Sequence, residues 1–251
     1  MLVADIGGGT ADFSVVRVGP SRAAKLDRKA DILANHGVHV AGTDFDRRIE
    51  LACILPECGY GALGPASGAA QAREVPSAIY FDLATWHLIN TVYNPLRIAE
   101  LRQMRGFYAD PTHHVRLLQV VGQRLGHELL ARAEGAKITV ADGGDARIDL
   151  GHIEAGLAVT LCDASARRAL RDDVERIVAA ARLAIAQAGL DADAVAALYF
   201  TGGSTGLRLL TDRLAAAFPA AQVVRGDRFA SVANGLGLYA RRRHGARARS
   251  S

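Results

Sequence analysis

Residues Asp5-Ile6-Gly7-Gly8-Gly9-Thr10-Ala11-Asp12 carry the pattern that decides the fold. The apolar run Leu2-Val3-Ala4 enters this stretch, and the alternating run Phe13-Ser14-Val15-Val16-Arg17-Val18 leaves it. Both flanks read as β-strands, so the three glycines and the threonine form the tip of a hairpin between two sheet strands. Glycine permits positive φ at such a tip and lets a ligand approach without meeting a Cβ. Successive backbone N–H groups can point one way and form a nest for phosphate oxygens. Asp5 and Asp12 bracket the tip with carboxylates suited to the water shell of a hard cation. A glycine-rich motif for a dinucleotide must open a helix, whereas this one joins two strands, which disfavours a nicotinamide- or flavin-linked oxidoreductase.

Downstream, Gly19-Pro20-Ser21-Arg22 reads as a turn and residues around Ile32 to Val40 as a third strand. Gly42-Thr43-Asp44-Phe45-Asp46 then opens a helix reaching about Leu55, with Thr43 or Asp44 placed to cap it. Pro56 to Pro76 is rich in Gly, Ala and Pro and reads as a long loop. Helices are expected over Ser77–Asn90, Leu96–Met104 and Pro111 to about Gly135. In the last of these, Val115, Leu118, Val121, Leu125, Leu129 and Leu130 recur with a helical period. Arg147–Ile153 and Leu157–Leu161 alternate as a strand pair.

A long helix starts at Asp163, carries Leu170, Val174, Ile177, Val178 and Ile185 on one face, and closes at Gly189. Val195–Phe200 reads as a buried strand entering Thr201-Gly202-Gly203-Ser204-Thr205. A helix to Pro219, a short strand at Gln222–Val224 and a last helix at Phe229–Tyr239 follow. Strand, Gly-Gly-Ser-Thr, helix places amides and hydroxyls where α/β sheets bind ligands. The order implies an α/β fold: a five-stranded mixed sheet with helices on both faces and an inserted α+β subdomain. The lobe core is expected at 1–55 and 163–240, the insertion at 56–162 and a basic disordered tail at 241–251.

Of the 251 residues, half are apolar and 22% charged, a globular composition with enough chain for a substantial core. The net charge of +4 is local, because Arg241, Arg242, Arg243, Arg247 and Arg249 crowd the C-terminal end. With the rest close to neutral, no nucleic-acid partner is expected. No apolar run reaches the ~18 residues of a membrane span. The first residues show neither a basic n-region nor a cleavage site, so a cytoplasmic protein is expected. Cys53, Cys58 and Cys162 fit no metal spacing and read as free thiols of a reducing compartment.

Four segments together resemble the second lobe of the actin-like (ribonuclease-H-like) ATPase domain of DnaK-type chaperones, the heat shock protein 70 family. Asp5–Asp12 resembles that family's second phosphate motif, and Gly42-Thr-Asp-Phe-Asp46 the segment after its third strand. Glu134-Gly-Ala-Lys137 is similar to its helical Glu-x-x-Lys, and Gly202-Gly-Ser-Thr205 to its adenosine motif. They occur in the family's order over about residues 1 to 240. Gly226-Asp-Arg-Phe and the region of Trp86 look closer to the YegD-type branch.

The resemblance implies an ATP- or ADP-binding, magnesium-dependent ATPase acting in protein folding and the stress response. It assigns Gly7, Gly8, Gly9 and Thr10 to the β- and γ-phosphates, with Thr10 also near the attacking water. Asp5 would take a hydrogen bond from magnesium-bound water, and Asp12 would help to hold that cation. Glu134 would accept ribose hydroxyls, Lys137 would lie along the adenosine, and Gly202, Gly203 and Ser204 would pass beneath it. Read from spacing alone, Glu134 and Lys137 form an exposed i,i+3 ion pair.

Two departures weaken the adenosine side. Ala141 stands where the family has Ser, and Gly206 where it has an adenine-stacking Arg, with Arg208 the nearest replacement. The family's first lobe and its peptide-binding domain have no counterpart in this sequence. The expected partners are therefore an adenine nucleotide, a first lobe supplied in cis or in trans, and client or co-chaperone proteins. Phosphoryl transfer needs charge stabilisation from both sides of the phosphate, so this chain by itself is expected not to turn over ATP. Two other readings stay open: a sugar-kinase or filament-type relative, and an interaction module that keeps the fold without catalysis.

Overall fold

The computed structural model describes residues 1–23, 25, 27–66 and 72–244. In chain order the elements are β1 (Leu2–Ile6), β2 (Ala11–Val16), α1 (Pro20–Ala23), β3 (Ile32–Val38) and α2 (Gly42–Ile49). Then come α3 (Ala78–Leu83), α4 (Ile89–Val92), α5 (Pro95–Gln103), α6 (Pro111–Gly122) and α7 (Gly126–Ala141). The strands β4 (Ala146–Asp149) and β5 (Ala158–Leu161) lead into α8 (Asp163–Gln187). β6 (Ala197–Thr201), α9 (Arg208–Ala217), β7 (Gln222–Arg225) and α10 (Ser231–His244) complete the chain.

Two compact units result, Met1–Gly42 together with the chain from Asp172 onward, and Thr43–Arg171. The divisions fall at 42/43 and 171/172, so α2 beyond its first residue, Gly42, belongs to the second unit, whereas sequence placed it in the lobe core. The first unit holds a five-stranded mixed sheet in the order β3-β2-β1-β6-β7. β2 runs antiparallel to β1 and β3, while β1, β6 and β7 run parallel. Leu2, Ala4, Ile6, Phe13, Val15, Leu198 and Phe200 alternate onto one buried face. Each of the larger of these side chains contributes about 1.5–3 kcal/mol on burial. On the opposite face, Val3, Asp5 and Tyr199 are half-buried, and the Tyr199 hydroxyl meets Ser231 Oγ of α10 at 3.1 Å.

β7 and α10 have no buried residue. On and just before α10, Phe229 is 86% exposed and Leu236 64%, with Val232 and Tyr239 also open. Arg241, Arg242 and Arg243 stand in the last turn of α10, where the helix dipole favours cations, rather than in a disordered tail. Residues 245–251 of that expected tail lie outside the described residues, as do 67–71 of the expected loop.

In the second unit, β4 and β5 form the antiparallel pair read from the sequence. The single helix expected from Pro111 to Gly135 is instead two. Arg124 adopts a left-handed φ of 56°, and α7 restarts at Gly126, whose amide donates to Tyr93 Oη at 3.0 Å. The break moves the core face of α6 to Leu117, Val120 and Val121, leaving Val115 exposed. Ser77–Asn90 likewise divides into α3 and α4, and Trp86 lies exposed between them. α2 continues into a π-helical turn over Glu50–Ile54 and a 3-10 turn over Leu55–Cys58. Pro56 has no N–H to continue the ladder, and Gly59 closes the turn at φ 98°. Among the described residues no helix is long and apolar enough to cross a membrane.

Candidate functional site

At the carboxyl end of β1 the hairpin tip meets two other loops of the first unit. The Gly7 carbonyl accepts hydrogen bonds from Ser204 Oγ at 2.7 Å and from the Gly42 amide at 3.3 Å. The tip, the Gly42 segment and the Gly-Gly-Ser-Thr turn thus converge on one atom. The Ser204 hydroxyl positions the tip, which gives it a structural partner that sequence did not foresee. Gly42 is glycine because a Cβ there would press on Ser204 Oγ at 2.6 Å and on Gly7 O at 3.3 Å.

The glycines of the tip work differently from the sequence expectation. None of Gly7, Gly8 and Gly9 has positive φ. Gly8 and Gly9 are exposed, and a Cβ on either would meet nothing within 4 Å. Neither backbone conformation nor packing in this chain therefore requires glycine at 8 or 9. The Gly7 amide is taken up within the turn, donating to Thr10 O at 3.0 Å.

Gly202 is the converse case. Its φ of 89° and ψ of 148° lie in a region that only glycine occupies readily. A Cβ there would collide with the backbone of Ile6, so the turn after β6 lies directly against the end of β1.

Asp5 and Asp12 pair directly across the hairpin. Like charges in that position repel. Burial first, and then the charge of Asp12, push the Asp5 pKa up. Thr10 Oγ donates to Asp12 Oδ2 at 2.7 Å, which ties the tip hydroxyl to the same carboxylate. Gly37, opposite Asp12 on β3, makes room for it, since a Cβ there would lie 2.5 Å from Asp12 Oδ1. Sequence reading missed Gly37, whose only signal is a glycine within a strand.

Among the described residues no group of three or more His, Cys, Asp and Glu could hold a metal by itself. Two facing carboxylates do fit a magnesium ion that keeps waters and takes its other oxygens from phosphate.

Around Gly202–Gly206 lie Arg228 and Phe229 of the Gly226-Asp-Arg-Phe segment, to which the sequence reading gave no role at this site. Phe229 Cε1 is 3.3 Å from where a Cβ of Gly203 would stand, and the Arg228 guanidinium fills the space over Gly206. The loop that carries them is held by the Gly202 amide donating to Arg228 O at 3.0 Å. Asp227 Oδ1 caps it, accepting from the amides of Phe229 and Ala230 at 2.9 and 2.8 Å. These two bonds hold the Asp227 pKa below the ordinary carboxylate range.

In the second unit, Glu134 and Lys137 both lie on α7. Lys137 is largely buried rather than part of an exposed face. Its Nζ reaches Asp46 Oδ1 at 2.7 Å, with only 13% and 9% of the two side chains exposed. Burial raises the Asp46 pKa, Lys137 opposes the rise, and Glu134 adds to it. One helical turn on, Glu50 is 0% exposed and neither carboxylate oxygen has a hydrogen-bond partner. Burial, followed by the charge of Asp46, raises its pKa well above the usual value. Sequence gave no sign of this, because an acid within a helix reads as solvated.

No known protein-family model matches the chain.

Proposed function

We propose that this chain is the ATP- and ADP-binding second lobe of a DnaK-type, heat shock protein 70 family ATPase. The observation that carries the reading is the hairpin tip. Two exposed glycines that the fold does not require stand beside two facing carboxylates, and two other loops hold the tip in place. Backbone without side chains next to two facing acids suits phosphate and its magnesium ion better than it suits an ordinary turn. The five-stranded mixed sheet is the sheet type that the resemblance implies.

In this reading the backbone of Gly8, Gly9 and Thr10 faces the phosphates, and Asp5 and Asp12 hold the water shell of magnesium. The cation would neutralise phosphate charge. Arg228 supplies the guanidinium that Gly206 lacks, and Phe229 offers an aromatic face beside it. The resemblance also assigns a nucleoside role to Glu134 and Lys137, which lie together on α7 of the second unit. The exposed apolar side chains on and beside α10 suit a protein partner, proposed to be the first ATPase lobe, with clients or co-chaperones as further partners.

Two substitutions separate the halves of the proposed ligand. Gly9→Ala should leave thermal stability unchanged, since its Cβ enters open space, yet weaken ADP binding at least tenfold. Arg228→Ala should weaken adenosine and ADP alike, leaving the preference for phosphate intact. Competition against a fluorescent ADP analogue reads both. Unchanged ADP affinity in Gly9→Ala would remove the tip from the site.

A further inference from the structure

We propose that Cys162 and Cys53 form a peroxide-responsive thiol pair, with Cys162 the attacking sulfur and Cys53 the resolving one. All three cysteines of the chain are free thiols. Cys162 immediately precedes α8, a helix of 25 residues whose N-terminal amides and dipole favour negative charge. Ser165 Oγ lies 3.4 Å from Cys162 Sγ and 2.9 Å from Cys162 O, so its single proton can turn to a thiolate. Cys162 is half-buried, so small oxidants can reach it.

The partner follows from packing. β5 ends at Leu161, next to Cys162, and packs against the π-helical turn Glu50–Ile54 that carries Cys53. Cys53 is half-buried, like Cys162.

The electrostatics divide the roles in the same way. Hydrogen bonds with Ser165, helped by the Ala164 amide, lower the Cys162 pKa against the opposing effects of burial and of the charge of Asp145. Burial, with the charge of Cys162 adding and Arg168 opposing, raises that of Cys53. Cys58 is an internal control: fully buried, with its pKa pushed up to about 12 by burial.

The steps balance with one hydrogen peroxide as oxidant. The Cys162 thiolate attacks one peroxide oxygen, the O–O bond breaks, and the departing hydroxide takes a proton to become water. Cys162 is then a sulfenic acid. Cys53 loses its proton and its sulfur attacks the sulfenic sulfur. The S–O bond breaks, and the hydroxyl leaves with that proton as a second water. Two thiols are oxidised to one disulfide while one peroxide is reduced to two waters. The new bond would tie the π-helical turn to the start of α8.

The test treats the reduced full chain with one equivalent of hydrogen peroxide and maps peptides by mass spectrometry without reductant. A disulfide joining the Cys53 and Cys162 peptides within one chain, with Cys58 still alkylatable, is the expected result. Cys53→Ser should instead trap Cys162 as a sulfenic acid that dimedone labels. Intact thiols, a bond involving Cys58, or a disulfide only between chains would overturn the proposal. The wild-type map decides the matter even if a variant fails to fold.

Discussion

Gly202→Ala should destabilise the protein more than alanine at any tip glycine. An L-residue at φ 89°, ψ 148° costs about 1–3 kcal/mol in backbone strain alone. The new methyl also enters the backbone of Ile6, at the end of the central strand β1, so relief requires β1 and β6 to separate there. In a chain of this size each kcal/mol lowers the melting temperature by about 2–4 °C. Thermal unfolding followed by circular dichroism should show a fall of several degrees, with Gly9→Ala alongside as the neutral reference. A variant that melts with the wild type would mean that the turn does not lie against β1. Because the same turn carries Ser204 to the Gly7 carbonyl, nucleotide affinity should fall together with stability.

Glu50→Leu should have the opposite sign. It exchanges a buried carboxyl with two unpartnered oxygens for an apolar side chain of similar size. Leaving such a group unsatisfied costs about 1–3 kcal/mol, which the substitution recovers. The pH dependence carries the same information. A carboxyl whose folded pKa is raised gives stability that is fully present below its unfolded pKa and is lost as pH rises through the folded value. Above the ordinary glutamate range Glu50 should therefore lower stability as pH rises, and Glu50→Leu should remove that contribution. Carboxyls with lowered pKa, such as Asp227, act in the opposite sense at more acid pH. Asp46 and Asp5, shifted in the same direction as Glu50, keep part of the slope. Denaturant titrations at several pH values read both effects. A Glu50→Leu protein less stable than wild type, with the slope unchanged, would mean that the carboxyl has a partner.

The sheet was legible because its signals are local. Alternation in Phe13–Val18, glycines at the tip and a second Gly-Gly turn after an apolar run fix three strand ends with little help from distant residues. The helical breaks were not legible, because Arg124 turns left-handed against its propensity and Gly126 must pass close to Ile89 and Tyr93. Periodicity alone therefore carried one helix through two. Glu134 and Lys137 show the same limit. Spacing paired them with each other, but tertiary structure hands Lys137 to Asp46, 91 positions earlier in the chain. Arg228 and Phe229 belong to Gly226-Asp-Arg-Phe, a segment noted in the sequence without a site role, and only the fold brings them beside Gly206 and Gly203. The Gly8-Gly9 pair shows the reverse. A phosphate role was proposed for it from the sequence, and the structure shows no requirement for glycine there in φ or packing.

Calorimetric titration of the purified chain with ADP and with adenosine, each with and without magnesium, tests the proposed function most directly. A phosphate-led site at the tip predicts that ADP binds at least tenfold more tightly than adenosine, a difference of about 1.4 kcal/mol or more. Magnesium should strengthen ADP binding and leave adenosine unaffected, because Asp5 and Asp12 act only through the cation and the phosphates. Equal affinities for ADP and adenosine, or ADP binding indifferent to magnesium, would contradict the account.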